Sequence, residues 1–145
     1  MNHLNLCPFF SFGLWLAAAG HFVILIASFQ VPARLHWRED LQSLAPFNRK
    51  LLWVQSGFTV LTIIAFGTLT LALHAELLRG DRAALGLAAF IATYWTARIL
   101  VDAFYFSHDD WPQGRQFVVG HALLTSLFCA LAAGYWGLIV WRVWG

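Results

Sequence analysis

Arg98 and Asp102 stand four residues apart inside an apolar run, in the stretch ARILVDAFYFSHDDWPQGRQFVVGH (Ala97–His121). That spacing puts both on one face of a helix, one turn apart. Two chemistries follow from it. The pair can neutralise itself along the turn, with Arg98 reaching toward a membrane interface. Alternatively, Arg98 is an anion clamp for a phosphate or carboxylate, and Asp102 fixes its planar fork. His121 re-enters apolar sequence after the polar loop, and with Asp102 it is a candidate catalytic proton carrier, because imidazole exchanges protons near neutral pH.

Other polar side chains belong to the same question. Gln55 and Thr59, in an earlier apolar run, join Arg98 as candidate substrate-binding residues. His21, His121 and His108 are the candidate metal ligands, since imidazole suits zinc, copper and iron, and a haem or transition metal is the cofactor class they admit. Neutral, hydrogen-bonded packing between helices is the structural alternative for His21 and His121. Helix rise sets Asp102, Gln55 and His121 about 6–8 Å from one end of their runs, and Arg98, Thr59 and His21 roughly 12–15 Å from it. The offset between His21 and His121 disfavours simple bis-histidine haem. No H-x-x-H, H-x-x-x-H or H-E-x-x-H pair occurs in the runs, and the His108-Asp109-Asp110 loop reads first as a solvated turn, with metal binding as the alternative.

Composition sets the class of protein that carries these groups. Of 145 residues 60% are hydrophobic and only 11% charged, far below the quarter expected of a soluble domain. A net charge of +2, with no basic cluster interleaved with aromatics, gives nucleic acid no binding surface. The two cysteines, Cys7 and Cys129, lie in separate apolar runs and form no C-x-x-C pair. Phosphate-cradling glycine loops and G-x-S-x-G elbows are both absent from the sequence.

Four apolar runs, Pro8–Val31, Leu51–Leu73, Ala83–Phe106 and Phe117–Trp141, are each long enough to cross ~30 Å of hydrocarbon as a helix. Continuous rather than alternating apolarity, and the need to satisfy backbone groups internally, favour helices over strands. The expected fold is an all-α, four-helix transmembrane bundle forming a single domain over residues 1–145. The N-terminus has no basic region, so its run reads as a retained span rather than a cleaved signal. Gly13, Ala17 and Gly20 share a face at close-packing spacing, as Gly134 and Gly137 could. Between the first two runs, Trp37, Leu41 and Leu44 mark a short amphipathic helix in the interface, bounded by Pro32 and Pro46. Arg34, Arg38, Arg49, Lys50 and Arg115 outnumber Arg79, Arg82 and Arg142 on the opposite side. By the positive-inside rule, loops 31–50 and 107–116 are cytoplasmic and both termini outside, in a bacterial inner membrane.

The segments FNRKLLWVQSGFTVLTIIAFG and WTARILVDAFYF resemble a loose group of small bacterial four-span membrane proteins. Trp53, Val54 and Phe58 match that group's helix-opening pattern, and Tyr105, Phe106 and Asp109 its aromatic pair and acidic turn. The resemblance implies the four-span architecture and no activity. The chain departs from the four-span eicosanoid and glutathione metabolism family, because Val101 and Asp102 stand where its tyrosine follows the arginine. Two functions remain. One is a small membrane subunit or accessory protein, whose partners are the bilayer and other membrane subunits or further copies of itself. The other is a membrane enzyme or redox protein with an intramembrane polar site, acting on a lipid-like substrate or holding a metal or haem.

Overall fold

The computed structural model describes residues 3–34, 36–106 and 114–144, and every regular element among them is helical. In chain order these are α1 (His3–Arg34), α2 (Trp37–Asp40), a 3-10 turn (Leu41–Ser43), α3 (Pro46–Ala72), α4 (His74–Arg79), α5 (Arg82–Phe104) and α6 (Arg115–Trp144). Four of them, α1, α3, α5 and α6, are long and apolar enough to cross a membrane.

Local chemistry explains where the elements begin and end. Pro46 opens α3, where its missing N–H has no bond to lose. Gly80 closes α4 in the left-handed region, at φ 78°, and its N–H returns to the Glu76 carbonyl. At Leu73 the chain bends without losing its ladder: the Leu73 N–H donates to Leu69 O, and Leu73 O accepts from the Leu77 N–H, each at 2.9 Å. Pro32, expected to stop the first span, lies inside α1, which runs two residues further. A proline there forfeits one backbone donor, which is too little to unwind a helix of this length. The expected interfacial helix is broken into one turn of α2 and the 3-10 turn, neither with a buried residue. Trp37 of α2 meets the edge of Trp53 on α3.

Side-chain contacts give the direction of each helix. Gly20 of α1 faces Leu127 of α6, while Phe10, three turns earlier, stacks on Trp141. His21 meets Phe66 of α3, and Ser11 meets His74 beyond the end of α3. Trp95 of α5 stacks on Phe128 of α6, while Asp102 reaches Thr125. Neighbouring long helices are therefore antiparallel. The closest pairings are α1 with α3 and α5 with α6, and α1 against α6 joins them. Phe66 closes the circuit by setting its ring against Phe90 and Tyr94 of α5.

Close approach depends on two glycines. A Cβ on Gly67 would stand 3.1 Å from Phe22 and 3.3 Å from the His21 Cβ, and one on Gly20 would stand 3.1 Å from Leu127. Gly20 was expected in this role and Gly67 was not. Gly13 and Gly134 have open space where a Cβ would go, and Gly137 meets only Phe10 at an ordinary 3.8 Å. Of the glycines in the expected small-residue faces, Gly20 is the one in close contact, and Ala17 also packs against the core.

The core fills only one half of the molecule. On α1 the described buried residues end at Ile24, and on α5 they end at Trp95. On α3 they begin at Ile63, and on α6 at Phe128. Beyond that level lie the end of α1, the start of α3, the end of α5 and the start of α6. Here every described side chain is exposed or half-buried, with Tyr105 80% exposed. This half is called the open half below.

Gly67→Val should destabilise the protein by at least about 1–3 kcal/mol, the range for overfilling a close-packed site. Gly13→Ala should change stability by no more than about 0.5 kcal/mol. Unfolding in mixed detergent micelles measures both, and equal effects would refute the α1–α3 contact at Gly67.

Candidate functional site

His21 is the deepest polar residue of the core, with none of its surface exposed. Its Nδ1 lies 2.7 Å from the Ala17 carbonyl, and its Nε2 lies 3.1 Å from the indole nitrogen of Trp95. A carbonyl can only accept and an indole N–H can only donate. The proton therefore sits on Nδ1, Nε2 is an acceptor, and the ring is neutral. Phe66, Trp95 and Tyr135 surround it. Both ring nitrogens, the atoms through which a metal or haem would bind, are committed inside the protein. One turn along α3, the Thr70 hydroxyl bonds to the Tyr135 hydroxyl as well as to the Phe66 carbonyl. Both contacts run between helices that are not close neighbours, α1 to α5 and α3 to α6, and so tie the core across its middle.

Asp102, His121 and Thr125 form a second polar cluster, in the open half. The Thr125 hydroxyl donates to Asp102 Oδ2 at 3.0 Å, and His121 Nε2 lies 3.3 Å from the same oxygen. His121 Nε2 and the Thr125 hydroxyl are themselves 3.5 Å apart. The Asp102 side chain is 9% exposed and that of His121 34% exposed, so the carboxylate is sheltered while the imidazole remains accessible. The i, i+4 spacing of His121 and Thr125 on α6 sets both side chains on the face that α5 presents Asp102 to. Such a cluster can hold and transfer a proton: the carboxylate orients the ring and offsets the charge of an imidazolium.

Arg98 does not pair with Asp102. Among the described residues it makes no ion pair, and its guanidinium carbon lies 5.7 Å from the centre of the Phe128 ring. The reason is directional. Side chains on a helix lean toward its N-terminus, so Arg98 points away from Asp102 and into the last layer of the core. The expected self-neutralising pair is replaced by two separate environments, a sheltered carboxylate cluster and a cation over an aromatic face.

The remaining candidates do not converge. Gln55 and Thr59 are exposed on the outer side of α3. The Thr59 hydroxyl bonds back to the Gln55 carbonyl at 3.1 Å, and that of Thr62 to Phe58 at 2.9 Å, each within its own helix. The depth of Gln55 and Thr59 suggested convergence with Arg98 and Asp102, but hydroxyls satisfied by their own backbone can face lipid. Cys129, two turns beyond His121, is also exposed. His21 lies in the core and His121 in the open half, so they share no level. His108 falls outside the described residues, as do Asp109 and Asp110. Among the described residues no group of three His, Cys, Asp or Glu side chains gathers as a metal site requires. Sequence reasoning missed the Trp95 and Tyr135 contacts, because an indole or a phenol in an apolar run reads as packing until its partner is seen.

Trp95→Phe keeps an aromatic ring beside His21 but removes its donor. The buried Nε2 is then left without a partner, at a cost of about 1–3 kcal/mol in stability. Trp53→Phe, on an exposed indole, should cost far less. Thermal unfolding of the two variants in the same detergent compares them, and equal melting points would refute the hydrogen bond's role.

Compared with protein-family models, with curated proteins and with solved structures, the chain matches none of them.

Proposed function

We propose that the chain is a four-helix transmembrane bundle whose working part is the Asp102–His121–Thr125 cluster, an intramembrane acid–base site acting on a lipid-like substrate. The observation that carries this reading is the sheltered Asp102 carboxylate holding His121, at a level where the helices share no buried core. Ionisable groups within membrane spans are costly to keep and mark working sites by default. With Nε2 turned toward Asp102, the imidazole is the group that carries the proton exchanged with substrate. Asp102 balances the positive charge while the proton resides on the ring, and Thr125 holds the carboxylate in place. The open half is where the reactive part of a lipid-like molecule enters, from the side. In this reading the Trp37–Ser43 segment lies along the interface, and residues 31–50 face the cytoplasm of a bacterial inner membrane.

A second reading, an accessory subunit or homo-oligomer, has one specific observation in its favour. The Gln55 amide is exposed on an apolar helix and makes no side-chain hydrogen bond among the described residues. An amide of this kind finds its partner on another transmembrane helix. Gln55→Leu should then shift the protein toward monomer in mild detergent, as read by light scattering. An unchanged mass would count against the assembly.

For the acid–base site, Asp102→Asn and His121→Gln should each abolish complementation of a deletion strain, with protein levels held equal. Thr125→Val should impair it partially, and Cys129→Ser should leave it intact. Full complementation by both Asp102→Asn and His121→Gln would sink this reading.

A further inference from the structure

We propose that Arg98 binds the phosphate or carboxylate head group of an anionic amphiphile, lodged in the open half beside the Asp102–His121 cluster. This rests on the acid–base reading above and names its ligand class. Among the described Asp, Glu, Lys and Arg residues of the four long helices, Arg98 is the one that lies more than five residues from either end of its helix. Asp102 Oδ2 already receives the Thr125 hydroxyl and faces His121. Arg98 has the Phe128 ring beneath it and, among the described residues, no carboxylate within ion-pair distance. The ring face satisfies part of the charge of a guanidinium but accepts none of its N–H bonds in the plane. Among the described residues no hydrogen bond engages the half-buried guanidinium, so its N–H donors are open to the oxygens of a ligand.

The geometry restricts what can supply those oxygens. A planar fork is matched by two oxygens of one anion, as in a carboxylate or a phosphate. The core layer that includes Trp95 and Phe128 blocks approach from the closed half. Access is from the open half, where Leu100, Val101 and Leu123 present exposed apolar side chains to an alkyl tail. A head group on Arg98 thus sits one helical turn before Asp102 along the same helix. An amphiphile meets each of these conditions, with its charge at Arg98 and its tail along the outer surface.

The test is ligand-dependent thermal stability of the full chain in neutral maltoside detergent. The probes are oleate, phosphatidylglycerol, phosphatidylcholine and inorganic phosphate. Oleate and phosphatidylglycerol should raise the melting temperature, and phosphatidylcholine should not. Arg98→Gln should weaken the apparent affinity at least about tenfold, the size of one lost charge-assisted bond. Arg98→Lys should retain part of the response, and Arg82→Gln, at the opposite end, all of it. Native mass spectrometry of the wild type should find one retained anionic lipid per chain, which keeps the test valid if Arg98→Gln does not fold. Protection by inorganic phosphate equal to that by oleate would keep the anion site but assign it to a free oxyanion. The proposal is overturned if wild type responds equally to neutral and anionic lipid, or if a folded Arg98→Gln responds like wild type. Because the readout is binding, it stands apart from complementation. Lost binding with Asp102 and His121 still essential would leave the acid–base reading with a different ligand.

Discussion

The His21 imidazole, held between the Ala17 carbonyl and the Trp95 indole, is the interaction on which the packing of the four helices turns. An apolar core fixes volume but is indifferent to small rotations of one helix against another. A directed bond from α5 to α1 is not, because turning either helix strands a buried acceptor. Around that ring, Phe66 brings α3 into contact and Tyr135 brings α6. Gly67 then lets α3 approach closely enough for Phe66 to reach it. The Thr70–Tyr135 bond repeats the device one layer on, across the other diagonal. In a membrane, where lipid tails compete equally for apolar surface, such directed contacts and close packing supply specificity that hydrophobicity cannot.

One consequence is asymmetry. The polar ties and the alanine ridge of Ala84, Ala88 and Ala92 all lie in the closed half, which is therefore compact. In the open half, large apolar side chains such as Ile26, Phe29, Phe58 and Leu123 are turned outward. Outside the Asp102–His121–Thr125 cluster, several of its hydroxyls turn to their own helix: Ser28, Ser56 and Thr59 each bond to the carbonyl four residues earlier. The same half that is weakly packed thus holds the sheltered carboxylate and the arginine. A site for a molecule that arrives from the bilayer needs such a division: one rigid half to hold the geometry, and another accessible from the side.

Much was legible in the chain before any contact was known. Run length and composition determine four helices long and apolar enough to cross a membrane, because 1.5 Å of rise per residue and the demand for internal backbone bonding favour helices of that length. Arg98, Asp102 and His121 stood out because charge is scarce in such runs, and helix rise placed Asp102 and His121 near one level, where they meet. Gln55 and Thr59 were drawn into the same site by depth alone. Depth is a property of one helix, whereas convergence also depends on how each helix is rotated about its axis, which polar periodicity left open.

The tertiary structure decided what four-residue spacing could not. Arg98 and Asp102 were as consistent with a mutual ion pair as with separate roles; α6 settled the matter by offering Thr125 and His121 to the carboxylate and Phe128 to the guanidinium. His21 could be read as metal ligand or packing residue, and it is the facing Trp95 that engages its second nitrogen. Gly67 looked like any glycine in an apolar run until Phe22 and His21 were set against it. By itself the sequence determined which residues are polar, how deep they lie and that helices carry them, since those follow from the chain's own geometry and from the solvent it must cross. Partner choice came from the fold, because a hydrogen bond needs two groups within about 3 Å, and groups on separate helices are brought that close only by packing.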